Sequence, residues 1–227
     1  WKGKEDYGHS PLQTVNGVTI AYLSYTEHTN GIPQNSSMQA NVIYTSQTDV
    51  IEQQVKAARQ LANFVVVGVH WGVENSHTVV DAQRALAQSL ADWGADLIIG
   101  THPHVLQNAQ WLTAADGRQV FTAYSLGNFI STQEKPDQLV GAILSVQLEK
   151  TTELDGTVRC SVLSPRLLLT VTHYDAGKSN VRTYLFRDYT EALTKSHGVR
   201  QAYPDFSLEM IQSIARENID PEFLQLT

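Results

Sequence analysis

The sequence predicts an α/β fold: a largely parallel sheet with helices over residues 1–140, then antiparallel strands and helices over 141–227. Three observations carry this. The first 130 residues run strand, helix, strand, helix, strand, the alternation of a parallel sheet with right-handed crossovers. Two of the apolar runs stop at Gly-containing turns that present imidazole, His70-Trp71-Gly72 and Gly100-Thr101-His102-Pro103-His104, as strands do where they leave a buried sheet. Beyond Gly141 the apolar residues recur at every second position, the period of half-buried antiparallel strands.

Each element has its own warrant. Residues 11–15 and 18–24 flank Asn16-Gly17, a pair that tolerates positive φ at both positions and so closes a hairpin. A polar loop follows, with Asn30-Gly31-Ile32-Pro33 and Asn35-Ser36-Ser37; it is either a rim or lid over a site, or only a connection. Residues 49–62 form a helix, with Asp49 as its cap, Glu52 closing a capping box, and Ile51, Val55, Ala58 and Ala62 on one stripe. After the strand ending at His70, a second helix spans 80–93. It buries Ala82, Leu86, Leu90 and Trp93 and stops at Gly94. Strands ending at Gly100 and spanning 119–124 complete the first part, the latter running into Ser125-Leu126-Gly127-Asn128-Phe129. Residues 142–148, 157–171 and 181–186 are antiparallel strands that form a second sheet or extend the first. Helices at 188–195 and 207–216 follow, and Pro221, Phe223 and Leu224 pack back on the body or on a neighbour.

Composition bounds the function. At 227 residues and 42% hydrophobic content the chain fits a single domain with a sizeable core. Its net charge of −7 and lack of any Lys/Arg cluster argue against nucleic acid as a partner. No apolar run approaches the ~20 residues of a membrane helix, and residues 1–6 lack the apolar segment of a signal peptide. Cys160 is the sole cysteine, so no intrachain disulfide forms; in its alternating run it reads as a packing residue.

The chemistry concentrates at the strand ends. Imidazole is the commonest side-chain metal ligand, and His102 and His104 flank Pro103, which fixes its own φ and biases His102 toward extended backbone. If the strands ending at His70 and Gly100 are parallel neighbours, His70, His102 and His104 share the sheet edge where α/β folds bind ligands. Glu74 is a partner that orients an imidazole, a general base, or a solvated carboxylate. Asn128 is an oxyanion donor, a carbonyl ligand to metal, or the side chain of a local turn. Gln107 and Asn108 are weaker candidates for the same cleft. His9, His28, His77, His173 and His197 have no matching partner and read as ordinary. The chain has no nucleophile elbow, no phosphate loop and no dinucleotide glycine pattern.

Taken in order, His70-Trp71-Gly72-Val73-Glu74, Gly100-Thr101-His102-Pro103-His104-Val105-Leu106-Gln107 and Ser125-Leu126-Gly127-Asn128-Phe129 resemble the CapA family of bacterial capsule-synthesis proteins, called PgsA in poly-γ-glutamate systems. The strand at 16–23 is similar too, so the likeness covers 11–131. The resemblance implies a calcineurin-like metallophosphoesterase fold, an α-β-β-α sandwich of mixed sheets with two divalent ions (Mn, Fe or Zn) at the strand ends. It gives His70, His102 and His104 a ligand role, with His104 and His70 on one ion and His102 on the other. The family's early Gly-Asp and Asn-Asn-His turns have no counterpart here, so the resemblance implies a domain lacking its N-terminal part. The bridging carboxylate would then be missing, metal would be held partially or not at all, and the exposed sheet would need cover from that segment or from a neighbouring chain. Implied partners are the membrane subunits of capsule or polyglutamate synthesis, or the polymer itself. The implied location is outside the cytoplasm, tethered through an N-terminal segment. The implied activities are metal-dependent phosphoester hydrolysis, γ-glutamyl or amide hydrolysis of an envelope substrate, or a non-catalytic scaffold role.

Overall fold

The structure, a computed structural model, describes residues 6, 9–32 and 42–227; Pro33 and Asn35-Ser36-Ser37 of the expected rim lie outside them. The hairpin forms as its Asn-Gly turn requires: β1 (Leu12–Val15) pairs antiparallel with β2 (Val18–Thr26), with Asn16 at φ 52° and Gly17 at φ 77°. Then come α1 (Thr48–Leu61), β3 (Phe64–His70), α2 (Asp81–Trp93), β4 (Leu97–Thr101), β5 (Leu106–Thr113) and β6 (Gln119–Leu126). The six strands lie in the order β1-β2-β3-β4-β6-β5. The four central strands run parallel, as the alternation predicts, and the two edge strands run antiparallel. The antiparallel edge strand β5 is not foreseen by the apolar pattern, because Gln107, Asn108 and Gln110 interrupt it.

The apolar faces of α1 and α2 cover one side of this sheet: Ile51, Val55 and Leu90 pack with Val65, Val67 and Ile98. The expected cap of α1 is not formed. Its N-cap is Gln47, without a side-chain cap bond, because the Gln47 Oε1 instead accepts from the Tyr44 amide at 2.9 Å. Asp49 sits inside the first turn, where its charge still complements the helix dipole.

The other side meets a second sheet rather than an extension of the first. It is built from β7 (Val140–Thr152), β8 (Val158–Asp175), β9 (Ser179–Leu185) and β10 (Leu224–Gln225). β8 takes β7 along one edge and β9 and β10 along the other. Phe64, Leu97 and Phe121 from the first sheet and Leu167, Leu169 and Val171 from the second share one core. Of the two C-terminal helices, α3 (Glu191–Ser196) is shorter than the periodicity predicts, whereas α4 (Leu208–Asn218), capped by Ser207, buries Ile211 and Ala215 in that core. The C-terminal segment packs back: Phe223 is buried against Phe121 with ring centroids 5.1 Å apart.

One glycine is dictated by packing. A Cβ on Gly100 would lie 1.9 Å from the Tyr124 carbonyl oxygen and 2.4 Å from Trp71 Nε1. Trp71 donates its indole N–H to that same carbonyl at 2.9 Å. The bond ties the end of β3 to β6 across β4, and only glycine leaves room for it.

Candidate metal centre

Strand register brings the candidates together. Thr26 pairs with His70 and His70 with Thr101, so β2, β3 and β4 end level at one edge. His28 stands two residues beyond β2, His70 closes β3, and His102 and His104 follow β4. The rings of His28 and His102 lie 4.3 Å apart, His70 and His102 4.3 Å, His28 and His70 5.3 Å, and His102 and His104 6.0 Å. Two sets of donor atoms each fall within 4.8 Å of one another: His28, His70 and His102, and Glu74, His102 and His104. His102 belongs to both. The structure therefore groups His70 with His28 and His102 rather than with His104.

Hydrogen bonds orient two of the rings. The Thr26 hydroxyl donates to the His28 carbonyl at 2.7 Å and lies 3.2 Å from His70 Nδ1. With its proton committed, its oxygen accepts from His70 Nδ1–H, which leaves the Nε2 lone pair of His70 open. The same logic applies at His104. Asn128 Nδ2 donates to the carbonyls of His104 and Gln138 at 3.2 and 3.0 Å and to Gln133 Oε1 at 2.6 Å. Its Oδ1 is thus the acceptor that faces His104 Nδ1 at 2.9 Å. A second partner that fixes the tautomer and leaves one nitrogen free is the usual dressing of a metal-ligating histidine.

Electrostatics and backbone agree. Burial, then the neighbouring imidazoles, push the pKa of His70 and of His102 below the ordinary value, so both rings are neutral and carry a lone pair near pH 7. The expected extended backbone at His102 is not what forms. His102 has φ 101° and His104 φ 63°, because the chain must turn both rings back over the sheet edge at once. Non-glycine residues at such angles store strain, which persists where the surroundings over-determine it.

Glu74 is exposed on the loop between β3 and α2, and that loop is pinned in place. The Asn75 amide donates to the Pro103 carbonyl at 2.8 Å, and Asn75 Oδ1 accepts from Gln138 Nε2. Gln107 is fully buried and donates to the carbonyls of Ser76 and Thr78 at 2.9 and 3.0 Å while accepting from Gln83 at 2.8 Å. It braces the Glu74 loop. Asn108 points elsewhere: its Oδ1 accepts from the Asp220 amide at 2.9 Å, tying down the C-terminal segment. Asn128, with all its polar atoms engaged, positions His104.

His28 is the residue that pattern reading passes over, since it sits in a polar stretch with no histidine partner nearby in sequence. The one available sign is its place two residues past a strand that pairs in register with the His70 strand. His77 is bonded to the Leu106 carbonyl at 2.7 Å and faces Asp137. His173 and His197 lie together in the C-terminal core, 4.7 Å apart. A cleft of about 540 Å³ opens beside His28 and His70, lined among the described residues by Tyr25, Ile32, Val42 and Ile43.

The donors fit a transition-metal ion: neutral imidazoles with free nitrogens, one carboxylate, and supporting hydrogen bonds already in place. Fold and site together define an α/β protein with a cluster of histidines that could hold a metal ion at the carboxyl edge of parallel strands. Its family follows from sequence: residues 3–133 match the model of the bacterial capsule synthesis protein PGA_cap, and the chain belongs to that family. It is 35% identical over 150 residues to the PGA biosynthesis protein CapA of Bacillus subtilis strain 168, covering 66% of this chain and 37% of that protein. It is 36% identical over 140 residues to the capsule biosynthesis protein CapA of Bacillus anthracis, covering 57% and 31%. The chain thus spans about a third of the length of these relatives. Among solved structures, the Haemophilus influenzae NAD nucleotidase aligns with 95% of this chain and 34% of its own at 13% identity and TM-score 0.38. No helix among the described residues is long and apolar enough to cross a membrane.

Proposed function

We propose that this chain serves capsule biogenesis at the cell envelope as a metal-dependent hydrolase core acting on an anionic envelope substrate, a phosphoester or a γ-glutamyl amide. The observation that carries the reading is the convergence of four imidazoles and Glu74 at one sheet edge, with His70 and His104 held as Nδ1–H tautomers. In this reading His70, His102 and His104 hold divalent metal, Mn, Fe or Zn, divided between two donor sets that share His102, with His70 in one and His104 in the other. Such an ion supplies a Lewis acid that lowers the pKa of water and neutralises a developing oxyanion. Glu74 accepts the proton of the attacking water, and Asn128 keeps His104 aimed. The polymer or the membrane subunits of its synthesis are the partners, on the extracytoplasmic side, with a membrane tether outside residues 1–227.

The test is elemental analysis of tag-free protein purified without chelator, with hydrolysis of a phosphoester panel and of γ-glutamyl oligomers. At least one transition ion per chain is expected, and His102→Ala should remove the ion and lower hydrolysis at least a hundredfold. Hydrolysis that survives His102→Ala would end the reading. Metal-free protein that still captures membrane partners independently of the histidines would replace it with a scaffold role.

A further inference from the structure

Resting on that metal reading, we infer that His28 is a third nitrogen ligand. It completes an all-imidazole ion position with His70 and His102 that favours Zn, Co, Ni or Cu over Mg or Mn. Three observations support it. The donor nitrogens of the three rings lie within 4.8 Å of one another, and a tetrahedral zinc site needs about 3.4 Å between donors, the edge set by a Zn–N bond of about 2.1 Å. Small rotations of the half-buried His28 and His70 side chains toward the buried His102 cover that difference.

The second observation is that the backbone carrying His28 is stitched to the backbone carrying His70. The Glu27 amide donates to the His70 carbonyl at 2.8 Å, and the Gly72 amide donates to Glu27 Oε2 at 2.9 Å. Thr26 spans both, donating to the His28 carbonyl and accepting from His70 Nδ1. One hydroxyl therefore fixes the position of one candidate ligand and the tautomer of another.

Third, the donor types differ between the two sets. The His28, His70 and His102 set offers nitrogen alone, whereas the neighbouring set adds the Glu74 carboxylate. Imidazole suits zinc and its late first-row neighbours, while carboxylate and water suit magnesium and manganese. Since both sets draw on His102, the all-nitrogen position is the one that His28 decides.

The experiment is titration of the tag-free chain with Co(II), read by visible absorption, with Zn(II) competition and Mg(II) and Mn(II) controls. Circular dichroism verifies that each variant is folded. The wild-type chain should give the d–d bands of a low-coordinate cobalt site that zinc displaces and a hundredfold excess of Mg(II) does not. His28→Gln should weaken cobalt binding at least tenfold and shift those bands. His28→Cys should restore affinity and add a sulfur-to-cobalt charge-transfer band in the near ultraviolet, a signature no purely structural role produces. Unchanged affinity and bands in His28→Gln, with no charge-transfer band in His28→Cys, would overturn the His28 assignment while leaving a metal at the remaining ligands. A wild-type chain that takes up no cobalt or zinc would overturn this inference and the metal reading beneath it.

Discussion

His197 shows how far one side chain's surroundings can set its chemistry. Its Nε2–H donates to the Thr172 carbonyl at 3.0 Å while its Nδ1 accepts from the Val199 amide at 2.9 Å. Tyr174, Phe206 and His173 surround the ring edge-on at 4.5–5.0 Å. Both nitrogens are used as a neutral ring uses them, and burial pushes the pKa from 6.5 down to about 4. The unfolded chain therefore binds a proton that the folded chain refuses between about pH 6.5 and about 4. Stability is fully present above that window and falls as pH drops through it, by about 3 kcal/mol for this residue at 1.36 kcal/mol per pKa unit. Urea denaturation across that range should show the loss, and His197→Gln should have a lower stability near neutrality and a shallower slope. An identical slope in the variant would assign the acid sensitivity to other groups.

At the scale of elements, Asp96 is the joint at the opposite end of the sheet from the histidines. It is buried just before β4 and accepts from Arg59 of α1 at 2.6 Å, from the Val65 amide of β3 at 2.7 Å and from Arg118 at 3.3 Å. Burial raises its pKa despite the two guanidiniums, the mark of a carboxylate whose desolvation is large. Asp96→Ala removes the shared partner and leaves two cations facing a buried gap. Thermal and urea denaturation should show a loss of about 3–5 kcal/mol, with the histidine cluster, at the other strand ends, still formed. The apolar runs of β3 and β4 made their strands legible, because buried parallel strands must be apolar on both faces. The edge strand β5 was hidden, because its polar side chains serve the neighbouring loop and the C-terminal segment rather than a periodic face.

For the molecule as a whole, the two sheets share one core, so neither is an independent unit of stability. Phe121 sits where they meet, fully buried, edge-on to Trp111 and Phe223 at 5.1 Å each. Phe121→Ala should cost about 3–5 kcal/mol. Tryptophan fluorescence and far-ultraviolet circular dichroism should then report one coincident transition at a lower midpoint. Two separated transitions would show that the sheets melt independently.

The sequence by itself determined the strand and helix alternation, the Asn16-Gly17 hairpin, and the motifs of His70, His102 and His104. These rest on local forces: apolar period, turn conformation and the chemistry of the side chain. It could not show that His28 joins the cluster, that Asn128 is held against His104, or that residues 142–186 stack as a second sheet. Those depend on which strands lie side by side and in what register, a choice made by burying two apolar faces against each other across long stretches of chain.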